Sequence, residues 1–78
     1  PTAVIGAGAV LGADVTVDPY AVIGAGARLG DRVWVGAHAV VGAGVAVGDD
    51  CELRPHVVLY PGAELGRRVV VHAGARIG

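Results

Sequence analysis

The sequence predicts an all-β fold, a three-sided parallel β-helix, on the strength of three periodicities. An aliphatic residue recurs every six positions without a break, from Ile5, Leu11 and Val17 through to Val71 and Ile77. Two positions before each stands a small or slender residue, from Ala3, Ala9 and Val15 through Cys51 to Ala75. A longer period of eighteen joins Gly8, Gly26, Gly44 and Gly62, then Asp14, Arg32, Asp50 and Arg68, then Pro19 and Pro55.

The six-residue period defines the strands. A spacing of two puts the small and the large residue on one face of an extended segment, with the residue between them pointing outward. Each of the thirteen hexads is therefore one short strand. A helix would need a period near ~3.6, and fourteen glycines would weaken it throughout.

The corners come next. Glycine follows the aliphatic residue in nine of thirteen hexads, and we read it as the residue that lets the chain turn sharply. The eighteen-residue period then says that three strands close one coil, so 78 residues make a little over four coils. At about 4.8 Å per coil these stack into a prism roughly 20 Å tall. Alanine at the narrow positions and Ile, Leu or Val at the wide ones fill the triangular interior. Cys51 takes a narrow inward position, which makes it a packed, inert thiol.

Length and charge limit the function. At 78 residues the chain is a single domain, 1–78, so any activity comes from the repeat surface or from an assembly of chains. Six basic against seven acidic residues, with no basic run, argue against nucleic acid as a partner. Apolar residues make up 54% of the chain, but glycine or charge interrupts them too often for a membrane span. With one cysteine and no signal-peptide opening, a reduced cytoplasmic location is the expectation. Lys, Ser, Asn, Gln, Met and Phe are all absent, a narrow alphabet consistent with high-GC coding, heat resistance or deliberate design.

Stacking at eighteen residues lets each outer column be read. One face shows Val4, Val22, Val40 and Val58 before ending in Arg76; the second shows Val10, Arg28, Ala46 and Glu64; the third Thr16, Trp34, Glu52 and Val70. Valine is a good strand former anywhere. A continuous exposed valine column is nevertheless a surface that soluble monomers avoid, so Val4, Val22, Val40 and Val58 are the expected protein interface. The corner Asp14, Arg32, Asp50, Arg68 alternates in sign, which predicts charge pairs between neighbouring coils. All three histidines fall on the corner leading into the valine face. His38 and His56 are expected to stack in adjacent coils, with His72 further round the same corner. They are the weak candidates for a metal shared between chains, because the tight ligand spacing of a strong zinc signal is absent. We identify no catalytic residue and no cofactor: there is no Ser for a hydroxyl triad and no glycine-rich loop between strand and helix.

The repeat as a whole resembles the hexapeptide-repeat acyltransferase superfamily, whose members form left-handed β-helices and assemble as homotrimers. Within it, PTAVIGAGAVLG, DPYAVIGAGARLG and above all LRPHVVLYPGAELGRRVVVHAGARIG resemble the helical domain of UDP-3-O-acylglucosamine N-acyltransferase, of lipid A biosynthesis. The most telling piece is Val57-Val58-Leu59-Tyr60 followed by His72-Ala73-Gly74-Ala75-Arg76-Ile77-Gly78. The resemblance implies a left-handed coil and an enzyme that carries a 3-hydroxyacyl chain from acyl carrier protein to the amine of a UDP-sugar substrate. In that family a histidine in a His-Asn segment acts as general base. This chain has no His-Asn, and in Val35-Gly36-Ala37-His38-Ala39-Val40-Val41-Gly42 the histidine falls one position late on the hexad, so the role is not carried over.

Three functions stay open at this point. The first is a trimer-forming segment of that N-acyltransferase, inactive alone, with nucleotide-binding domain and base supplied from outside it. The second is a non-catalytic or designed β-solenoid scaffold. The third is a metal enzyme resembling γ-carbonic anhydrase. The chain begins and ends on hexad boundaries, which gives the expectation of a piece of a longer solenoid, or a design patterned on one.

Overall fold

Alternation of inward and outward side chains produces one strand per hexad. In the computed structural model, which describes residues 3–78, thirteen two-residue strands run from Val4–Ile5 to Arg76–Ile77, and no described residue is helical. They stack as three parallel sheets. The first holds Val4–Ile5, Val22–Ile23, Val40–Val41, Val58–Leu59 and Arg76–Ile77. The second holds Val10–Leu11, Arg28–Leu29, Ala46–Val47 and Glu64–Leu65, and the third Thr16–Val17, Trp34–Val35, Glu52–Leu53 and Val70–Val71. Each strand pairs with the one eighteen residues away, as Val4 with Val22 and Trp34 with Glu52. The architecture is the expected β-solenoid of about four turns with eighteen residues per turn.

The two inward columns meet in the middle. Ala21, Ile23, Ala27, Val33, Val35, Leu53 and Leu59 are all sealed from solvent, and no polar or charged residue is buried with them among the described residues. At roughly 25 cal/mol per Å² of apolar surface, this burial is the main force holding the coils together. Cys51 fills its narrow slot as expected, with Sγ 3.0 Å from the Gly66 carbonyl oxygen. In the first coil the same columns are less covered, and Ile5 is half exposed.

The corners differ from the expectation. The residue in the left-handed backbone region is not the one after the aliphatic; it lies two positions further on, at residues 8, 14, 20 and every sixth residue to 74. Glycine occupies it at five corners, while Asp14, Tyr20, Arg32, His38, Asp50, His56 and Arg68 hold it at φ between 55° and 66°. A non-glycine residue there costs on the order of 1–2 kcal/mol locally, which the ladder of the coil overrides. The glycine directly after the aliphatic has another reason to be there. A Cβ on Gly24 would lie 2.5 Å from the amide nitrogen of Ala43 in the next coil, so the residue is small because two backbones pass closely, not because the chain bends there.

The middle corner position has a chemistry of its own. Backbone N–H groups of the flanking positions are bonded between coils, as Val22 to Ala39 at 2.8 Å, Gly24 to Val41 at 2.7 Å and Gly26 to Ala7 at 3.0 Å. The N–H of the middle residue finds no backbone acceptor: Ala25, Ala37 and Ala43 donate to none among the described residues. Pro19, Pro55 and Pro61 all stand in this column, where a missing N–H forfeits nothing.

Candidate functional site

Three surface features are built on this frame. The first is the valine column. Because its members point outward from the first sheet, Val4 is 58% exposed, Val22 and Val40 are each 37% exposed, and Val58 is half-buried. Val10 and Val70 are also exposed, but Arg28 and Glu64 interrupt the one column and Glu52 the other, so of the three sheets the first alone has a continuous apolar stripe on its outer face.

The second is the corner leading into that stripe. Tyr20, His38 and His56 occupy its left-handed positions in successive coils. Their rings stack, Tyr20 on His38 at 5.1 Å between centroids and His38 on His56 at 5.1 Å with only 2° between planes. The His38–His56 stack is as expected; Tyr20 was missed, although its spacing of eighteen from His38 was visible. Ring nitrogen lone pairs lie in the ring planes, and the two imidazole planes are nearly parallel, so in this stacked arrangement no single ion lies in both planes. His72 stands two positions away from the stack column, at Gly74's corner, and no described group of three His, Cys, Asp or Glu side chains is arranged to hold a metal. Beside the stack, Trp34 donates from Nε1 to Asp18 at 2.8 Å, and Arg54 pairs with Glu52 at 3.3 Å.

The third is the charged corner. Arg32 grips Asp50 one coil above with two bonds, Nε to Oδ1 at 2.7 Å and a second guanidinium nitrogen to Oδ2 at 3.1 Å. That hydrogen-bonded fork holds the Asp50 carboxyl below its ordinary range and raises Arg32. Of the charge pairs expected along the alternating column, the described residues make one, Arg32 with Asp50: a fork turned up toward Asp50 is turned away from Asp14, and Arg68 makes no ion pair. A ladder that sequence reasoning missed runs alongside. The Asp31 carboxylate accepts the N–H of Ala13 at 2.9 Å, and the Asp49 carboxylate accepts the N–H of Asp31 at 2.8 Å. These bonds satisfy the middle-position N–H that the backbone leaves over. The signal was two Gly-Asp steps eighteen residues apart, Gly30-Asp31 and Gly48-Asp49.

Comparison with known families gives one result. The profile of the bacterial transferase hexapeptide family (six repeats) matches residues 26–60 and 47–78, more than half of the chain. No curated protein matches it.

Proposed function

The chain belongs to the bacterial transferase hexapeptide family, and on that premise we propose that it is the trimer-forming, left-handed β-helix segment of a bacterial N-acyltransferase. The parent reaction is the step of lipid A biosynthesis that moves a 3-hydroxyacyl chain from acyl carrier protein to the amine of UDP-3-O-acylglucosamine. The observation that carries the reading is the valine stripe of the first sheet, Val4, Val22, Val40 and Val58, which gives three copies an apolar face to close on. The sequence pieces from Leu53 to Gly78 supply the choice of acyltransferase.

In this reading the segment contributes the assembly and not the chemistry. His38 is stacked between two rings at a left-handed corner, so it is given no role as general base. Base, nucleotide site and acyl carrier protein contacts belong to parts of the enzyme beyond these residues.

Light scattering over a range of concentrations tests the assembly. A constant mass of three chains supports the reading, and a monomer or a mass that climbs with concentration overturns it. An N-acyl transfer assay tests the second half: the chain alone is expected to be inactive, and turnover by it would refute a purely assembling role.

A further inference from the structure

The carboxylate ladder of the charged corner stops one rung short, and the place where it stops carries two adjacent exposed arginines. In the first two rungs a carboxylate oxygen sits against a backbone N–H: Asp31 on Ala13 at 2.9 Å and Asp49 on Asp31 at 2.8 Å. Each oxygen also needs a glycine beneath it, since a Cβ on Gly12 or Gly30 would collide with the Asp31 or Asp49 Oδ1. The third rung repeats the plan, with Gly48 as the glycine and the N–H of Asp49 as the donor, and that N–H makes no hydrogen bond among the described residues. The residue that should bring the carboxylate is Arg67.

The surrounding charges agree. Asp49 and Asp50 are both engaged with the coil below, Asp49 on the Asp31 amide and Asp50 on Arg32. Arg67 and Arg68 are exposed and adjacent at the corner, and neither forms an ion pair among the described residues, although, behind the Arg32 hydrogen bond, the Arg68 charge helps to hold Asp50 ionised. Middle-position N–H groups elsewhere, such as that of Ala25, are equally free of backbone partners but stand in a corner of glycine and alanine without charge.

We propose that the corner formed by Gly48, Asp49, Arg67 and Arg68 binds a small oxyanion, a phosphate or carboxylate group, in the place of the missing third carboxylate. One oxygen accepts the Asp49 N–H, as the Asp31 and Asp49 oxygens do in the rungs below. The remaining oxygens face the Arg67 fork, with Arg68 beside it, an arrangement in which guanidinium and backbone N–H both donate to an anion. A phosphate group has one more oxygen to offer than a carboxylate and uses both arginines, so it binds more tightly.

Amide chemical shifts of the folded chain, titrated separately with inorganic phosphate and with acetate at constant ionic strength, test the site. The expected result is a saturable shift at the Asp49 amide with phosphate, a several-fold weaker one with acetate, and none at Ala25. Arg67→Ala should weaken the phosphate response about tenfold or more. Arg67→Asp should abolish it and raise the melting temperature, because its carboxylate completes the ladder. Absence of a saturable shift at Asp49, an equal response at Ala25, or unchanged binding in Arg67→Ala overturns the proposal.

Discussion

The Asp49 carboxylate accepts the backbone N–H of Asp31, eighteen residues earlier, at 2.8 Å, and it has room to do so because Gly30 carries no side chain. A Cβ on Gly30 would collide with that carboxylate and lie 2.8 Å from the Asp49 amide nitrogen. Gly30→Ala should therefore destabilise the chain by about 1–3 kcal/mol in denaturant unfolding. Gly26→Ala is the contrast: nothing lies within 4 Å of its Cβ, and only its φ of +70° opposes the change. Its cost should stay near ~1 kcal/mol.

Arg32 and Asp50 make stability depend on acid. The folded Asp50 carboxyl is depressed, first by the hydrogen bond from Arg32. A group lowered on folding contributes stability that is fully present above its unfolded pKa and lost as pH falls through the folded one. Urea unfolding of the parent chain and of Asp50→Asn should thus differ at neutral pH and converge below the ordinary carboxylate range. Both groups are exposed, so the difference should also shrink with added salt.

Leu29 and Val41 lie in the sealed interior, at 3% and 1% exposure. Leu29→Asp or Val41→Asp would bury a carboxylate with no partner, at a cost of several kcal/mol. Circular dichroism should show loss of the β signal or a steep fall in the urea midpoint; an unchanged midpoint would contradict the inward assignment.

Val22 and Val40 point outward from the same sheet. If the proposed trimer closes on this stripe, Val22→Glu with Val40→Glu should leave a monomer in light scattering while the β signal persists, since both side chains are on the outer face. If the oligomer survives the double change, the interface lies on another face.

How much of this was legible in the sequence differs between core and corner. Ile23, Leu53 and their columns could be placed inside the solenoid directly, because a period of two within a period of six assigns every side chain a direction, and hydrophobic burial has no alternative that satisfies all thirteen repeats. The valine stripe followed from the same arithmetic. Gly24 and Gly26 could not be told apart by letter, yet one is required by a neighbouring backbone and the other by its own φ.

Sequence alone thus determined the coil, its three faces and its contents, since those depend on periodicity and burial. Only the tertiary structure decided which corner groups meet: that Arg32 takes Asp50 and leaves Asp14, that Tyr20 joins the histidine stack, and that Asp31 and Asp49 cap amides one coil below. The reason is physical. A repeat fixes where each Cα stands along the stack, whereas a hydrogen bond depends on the direction of a particular side chain, which rotamers and the room left by a neighbouring glycine decide.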